Sequence, residues 1–182
     1  MTLTTATHAI RKTLLAGAGL ALLAIPAAHA QAPATPAAAN VFKQAYGAWT
    51  LLCAPLKTGG EACDIRQALL NDKNQQVAGA TVFKKGAETD LRIDLPVGVY
   101  LRKNPSLQVD KGATTDALSY LRCSQRACMA RMTTAPSFLD AMRKGADLTV
   151  TFNITGKRTA SAKFSLKGYA DAEKALLARV KS

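Results

Sequence analysis

Four cysteines stand in two close pairs, Cys53/Cys63 and Cys123/Cys128. That arrangement constrains this chain more than any other feature. Four cysteines allow three connectivities, and number alone does not choose among them. Spacing favours local pairing. If Cys53 faces Cys63 across an antiparallel hairpin, Leu51 faces Ile65 and Trp49 faces Gln67. The centre of symmetry is then Thr58, inside the turn-rich run Lys57-Thr58-Gly59-Gly60. Trp49, Leu51, Cys53, Cys63 and Ile65 fall on one face, as a core face requires. The second pair passes the same test. With Cys123 opposite Cys128, Leu121 faces Ala130, and Tyr120, Arg122, Met129 and Arg131 lie on the other side. Short bridges of this kind contribute ~2 to ~3 kcal/mol each in the loop-entropy account. A four-cysteine zinc site needs short C-x-x-C pairs, and a redox dithiol needs C-x-x-C at a helix start. Neither spacing occurs here.

Paired thiols persist as disulfides in exported proteins, and the N-terminus reads as an export signal. Arg11 and Lys12 precede the charge-free apolar run from Thr13 to Ala27, and Ala28-His29-Ala30 forms an A-x-A cleavage site. Residues 1–30 are expected to be removed, leaving Gln31 as the first residue. The apolar run is short for a membrane span, and no later segment is long and apolar enough to make one. Removal leaves 152 of the 182 residues and takes the net charge from +12 to +10, because Arg11 and Lys12 go with the signal. A chain of that length buries about 70% of its unfolded surface as one domain. It needs neither metal nor cofactor to do so.

Residues 31–45 begin with the Pro/Ala-rich QAPATPAAAN and read as a flexible tail. Residues 46–182 read as a single, mainly β domain, with strands at 48–53, 63–69, 75–84 and 91–95. Gly79 marks a possible bulge in the third of these. Pro96 and Gly98 mark a bend before Val99-Tyr100-Leu101, and a short strand follows at Leu107 and Val109. Residues 117–123 and 128–132 form the second cysteine hairpin. The cleanest alternation is late: Leu148, Val150, Phe152 and Ile154, then Ala160, Ala162, Phe164 and Leu166, with polar residues between. Two short helices are expected. The first is 136–144, with Pro136 in its opening turn and Gly145 just past its end. The second is 171–181.

Both histidines, His8 and His29, leave with the signal. Histidine-dependent nucleophilic catalysis is thereby excluded from the mature chain. The twelve acidic residues are scattered. Their tightest groups are Glu88/Asp90/Asp94, Glu61/Asp64 and Asp171/Glu173, which read as a solvated edge, a solvated hairpin end and a helix cap. Ser161/Lys163 and Ser165/Lys167 lie on the wet side of a strand, with no burial to lower a lysine pKa. There is no phosphate loop or dinucleotide fingerprint. The basic residues are spread along strand ends and turns. They read chiefly as solvated surface, with attraction to anionic surfaces as the functional alternative. Sparse aromatics and the exported compartment argue against nucleic acid.

Several pieces, in order, resemble the invasion-associated locus B family of exported bacterial proteins. They are Tyr46-Gly47-Ala48-Trp49 with Cys53 and Cys63, Leu95-Pro96-Val97-Gly98-Val99, Tyr120-Leu121-Arg122-Cys123 with Cys128, and Ser165-Leu166-Lys167-Gly168-Tyr169. Together they span nearly all of the mature chain. Members often carry glycine before the fourth cysteine, where this chain has Ala127, so a different turn is expected there. The resemblance implies a periplasmic or envelope-associated protein, possible secretion included, with an immunoglobulin-like antiparallel β-sandwich. It carries over no catalytic residues. The family is named for host-cell invasion by a pathogen, a habit that many relatives lack.

The expectation is therefore a non-enzymatic envelope protein that takes no cofactor. Its partner would be an envelope or secreted protein, or an anionic surface such as lipopolysaccharide, lipid head groups or cell-wall polymer. The competing reading is a carboxylate-dependent enzyme acting on envelope glycans. Tyr120, Arg122, Met129 and Arg131, with Arg126 at the hairpin tip, form the candidate partner patch, since Tyr, Arg and Met are enriched at interfaces.

Overall fold

The structure is a computed structural model and describes residues 41–155 and 158–180. The expected signal, its cleavage site and most of the expected tail lie outside those residues. Eleven strands are described: β1 Phe42–Tyr46, β2 Trp49–Pro55, β3 Glu61–Leu70, β4 Gln76–Lys85, β5 Glu88–Leu95, β6 Ser106–Val109, β7 Thr114–Thr115, β8 Ser119–Cys123, β9 Cys128–Thr133, β10 Asp147–Ile154 and β11 Arg158–Ser165. Two helices, α1 Pro136–Lys144 and α2 Tyr169–Arg179, complete the set. The strands form two antiparallel sheets. One runs β1-β2-β3-β4-β5-β9-β8 and the other β11-β10-β6-β7. This is the β-sandwich architecture that the family resemblance implies, built from the strands that the alternating segments predict.

Each sheet turns its apolar parity inward. Leu51, Ile65, Val82, Leu91, Ile93 and Leu95 line the first sheet's inner side, while Leu107, Leu148, Val150 and Phe164 line the second's, all buried. The hairpin registers follow from the same parity. Leu51 pairs with Ile65 and Cys53 with Cys63, and in the last hairpin Leu148 pairs with Phe164 and Val150 with Ala162. Disulfides join Cys53 to Cys63 and Cys123 to Cys128.

Residues 46–49 and 165–169, remote in sequence, approach closely. The Ala48 N–H donates to Lys167 O at 3.0 Å. Trp49 Nε1 donates to Ser165 O at 2.8 Å, and Gln67 Nε2 donates to the same carbonyl at 2.7 Å. Ser165 N–H returns a bond to Gln67 Oε1 at 3.0 Å. Two glycines permit this approach. A Cβ on Gly47 would lie 2.6 Å from Lys167 O, and one on Gly168 would lie 2.2 Å from Tyr46 O. Beneath it, Trp49 and Tyr169 meet edge to face with ring centroids 5.1 Å apart. The segments Tyr46-Gly47-Ala48-Trp49 and Ser165-Leu166-Lys167-Gly168-Tyr169 are therefore one packing unit.

Three expectations are corrected. The expected tail extended to residue 45, but Phe42–Tyr46 is an edge strand paired with β2 through Tyr46↔Trp49. Arg179 of α2 sits over the Phe42 ring, 3.5 Å from its centroid, and holds it there. Gly79 is not a bulge. It pairs regularly with Ala68 and Asp94, and the irregularity falls at Val77, between Leu69↔Ala78 and Leu70↔Gln76. The bend expected at Pro96 and Gly98 is present, and beyond it Val99 makes an isolated bridge to Ile154 before residues 100–103 turn. The second helix starts two residues early, at Tyr169, directly after Gly168 with its left-handed φ of +84°.

Candidate functional site

The predicted partner patch lies on β8 and β9, at one edge of the seven-stranded sheet. Its register differs from the sequence expectation. Cys123 pairs with Cys128 and Arg122 with Met129, but Tyr120, not Leu121, pairs with Ala130. Leu121 is a bulge residue, left without a partner and 53% exposed. The disulfide pins one end of β8, so the extra residue is absorbed as a bulge and flips the parity beyond it. Tyr120 therefore turns towards the core face and packs against the core cluster. Its hydroxyl is buried without a hydrogen-bond partner among the described residues, and burial raises its pKa. Sequence parity had placed Tyr120 outward and Leu121 inward; both are reversed.

Arg122, Met129 and Arg131 do face outward. Arg131 stands directly opposite Arg92 on β5, an unfavourable like-charge pairing by itself. Each is balanced by an aspartate. Arg131 Nε is 3.7 Å from Asp90 Oδ2 and Arg92 Nε is 3.3 Å from Asp94 Oδ2. Asp90 is only 1% exposed, and Thr133 Oγ1 donates to it at 2.8 Å. Arg131 is thus tethered, whereas the guanidinium groups of Arg122 and Arg126 make no ion pair or hydrogen bond within the described residues. The tip that carries Arg126 is closed by Ser124 N–H donating to Ala127 O at 2.8 Å. Ala127 is absent from the left-handed residues, so this turn needs no glycine.

The tip borders a groove of about 730 Å³, lined by Gln75, Gln76, Val77, Pro96, Val97 and Arg126 among others. Sequence reasoning missed all of these except Arg126. The available signal was Pro96, which must end a strand's ladder.

Most of the candidate carboxylates are committed to arginines. Glu61 pairs with Arg179 at 3.0 Å, and Asp64 pairs with Arg66. Glu173 is not a cap. It is 4% exposed and bound by Arg143 through Nε and, at 2.9 Å, NH2. Its place on the buried stripe Tyr169-Ala172-Glu173-Leu176 was readable as an acid at an apolar position. The hydrogen bond from Arg143 to Glu173 raises the Arg143 pKa. Lys163 is also raised, chiefly by its hydrogen bond to Asp147, which is opposite to what a Ser-Lys base requires. Cys53, Glu61 and Cys63 bring ligand-type atoms within 4.8 Å of one another, but both sulfurs are in a disulfide and offer no thiolate.

Tyr169 supplies a pH prediction. Burial, then the charge of Glu173, pushes its phenol far above the ordinary value. The unfolded chain loses that proton near pH 10, while the folded chain keeps it. The stabilisation is therefore complete below about pH 10 and declines as pH rises towards the folded value. Urea unfolding across this range should show the advantage of wild type over Tyr169→Phe shrinking at alkaline pH. A difference independent of pH would contradict the assignment.

Fold and site together define a disulfide-stapled β-sandwich with a basic outer edge and no described pair of free, facing carboxylates. The chain belongs to the invasion associated locus B (IalB) family, whose family model matches residues 49–177, a family of exported bacterial proteins. The crystal structure of invasion associated protein B from Bartonella henselae is similar, with a TM-score of 0.70 and 23% sequence identity. The match covers 78% of this chain and 99% of that one, and at that identity it speaks to the fold. No curated protein matches. No helix among the described residues is long and apolar enough to cross a membrane.

Proposed function

We propose that this protein is a non-enzymatic component of the bacterial envelope, periplasmic or outer-envelope associated. On this reading it binds an envelope or secreted protein, or an anionic surface, through the outer face of the β8–β9 hairpin. The observation that carries this reading is the pair of uncommitted cations, Arg122 and Arg126, flanking half-buried Met129 and Arg131 on an exposed sheet edge. Free arginines beside an adaptable apolar side chain are the groups that interfaces select. The net charge, +12 for the whole chain and +10 once residues 1–30 are removed, steers anionic partners towards it. The glycan-hydrolase alternative needs two carboxylates across a cleft. Glu61 and Asp64 share a groove of about 330 Å³, but an arginine holds each of them.

The test is a double variant, Arg122→Glu with Arg131→Gln. Glutamine at 131 avoids setting a second acid beside buried Asp90. The variant should retain fold and both disulfides, and co-sediment with isolated envelopes several-fold less well at low salt, with the difference narrowing as salt rises. Unchanged sedimentation by a folded variant would refute the reading.

A further inference from the structure

The end of the seven-stranded sheet holds a slot one strand wide. β4 pairs with β5 as far as Gly79↔Asp94. It continues outward to Gln76 with only β3 beside it, through Leu70↔Gln76. β5 stops at Leu95, which still pairs with Cys128 of β9. Pro96 follows and has no N–H to extend a ladder. Gly98, at φ +90°, then leads the chain to Val99, which bridges Ile154 in the other sheet. The line of β5 is therefore vacated between Gln76–Val77 on one side and Arg126–Ala127 on the other. Two strand spacings separate these walls, about 10 Å. The groove of about 730 Å³ described above is this space.

Its two walls differ. On the β4 side, Gln76 and Val77 have no strand partner towards the slot. On the hairpin side, Ala127 is satisfied, because its N–H donates to Ser124 Oγ at 3.2 Å and its carbonyl accepts from Ser124 N–H at 2.8 Å. Val77 and Val97 are large apolar side chains left exposed at this groove. Arg126 lines it and makes no ion pair among the described residues. Asp94 also lines it, but Arg92 engages that carboxylate at 3.3 Å.

We propose that this slot binds an extended peptide segment of a protein partner, added as a strand against the open edge of β4 with an acidic side chain at Arg126. The inference rests on the partner-binding reading above and names the partner's chemistry. An open ladder edge selects polypeptide, because only a backbone supplies N–H and C=O groups at strand spacing, and side-chain pockets on alternate positions then give specificity. Val77 and Val97 offer the apolar contacts. Arg126 selects an acid.

The experiment is selection of a displayed library of random nine-residue peptides on the disulfide-intact protein. The expected winners alternate β-branched or aromatic residues with polar ones and carry one Asp or Glu. Binding of the winning peptide should fall about tenfold or more with Arg126→Glu, as for loss of a close charge pair. It should fall similarly with Val97→Arg, or when alternate peptide nitrogens of the ligand are methylated. A peptide with Lys replacing its acid should recover binding to the Arg126→Glu variant. Circular dichroism and non-reducing peptide mapping of each variant show that the fold persists. Failure to enrich any peptide overturns the proposal, as does a ligand indifferent to Arg126→Glu and to N-methylation. If enrichment fails while the Arg122/Arg131 variant still loses envelope association, the slot proposal falls alone. If both fail, the binding reading falls with it.

Discussion

Gly168→Ala should destabilise the protein by roughly 3 to 5 kcal/mol, while Gly98→Ala should cost only about 1. Both glycines hold a left-handed backbone, at φ +84° and +90°. An added Cβ meets similar local strain at each, on the order of 1 to 2 kcal/mol. The difference lies in what surrounds them. At Gly98 nothing stands within 4 Å of the new atom, whereas at Gly168 the Tyr46 carbonyl oxygen is 2.2 Å away and its carbon 2.6 Å. Those atoms are backbone and cannot rotate aside. Relief requires moving the β1–β2 turn away from the start of α2. That motion stretches the Ala48-to-Lys167 hydrogen bond and uncovers the Trp49–Tyr169 contact. Urea denaturation of both variants checks the claim. Equal losses would mean that the strain of the left-handed backbone, and not the close approach, governs this junction.

That junction also shows how much the sequence disclosed. Alternation along residues 148–154 and 160–166 gave the last hairpin its strands, because one face is buried and the other wet. The register of β2 on β3 was legible because cysteine spacing fixes a centre of symmetry at Thr58, and parity then assigns every side chain. Pro136 and Gly145 bracketed α1 for the local reasons that place such residues at helix ends. The same parity logic failed on β8. There a single bulge at Leu121 inverted the residues beyond it, and periodicity carries no term for an insertion. β1 was missed because its burial is intermediate at both ends and exposed between. Its pairing depends on Trp49 and on Arg179, which is remote in sequence. In the candidate site, the outward arginines were legible and the groove was not. The groove exists only because β5 stops between β4 and the hairpin tip while both neighbours run on, a relation between distant segments. Glu173 hid for a similar reason, since its partner Arg143 lies thirty residues earlier, on the other helix.

Trp49→Ala should cost about 3 to 5 kcal/mol, the range for emptying a large buried aromatic site. Trp49 is fully buried and stands edge-on to Tyr169 with centroids 5.1 Å apart. It belongs to β2 while its contact belongs to α2, so its loss loosens helix from sheet in addition to leaving a cavity. The polar consequence is smaller. Ser165 O loses the indole N–H at 2.8 Å but keeps the Gln67 amide at 2.7 Å, so no buried carbonyl is orphaned. Trp49→Phe separates the two effects. It preserves an aromatic edge for Tyr169, removes the hydrogen bond and part of the volume, and should cost about 1 to 2 kcal/mol. Stability is best followed by far-UV circular dichroism, because Trp49 is the chain's one tryptophan and its removal silences intrinsic indole fluorescence. If Trp49→Phe proves as damaging as Trp49→Ala, the indole hydrogen bond to Ser165 is what joins β2 to the segment before α2, and ring packing is secondary. If Trp49→Ala is tolerated, the Gln67–Ser165 pair and the glycine contacts alone secure α2, and the tryptophan is replaceable filling.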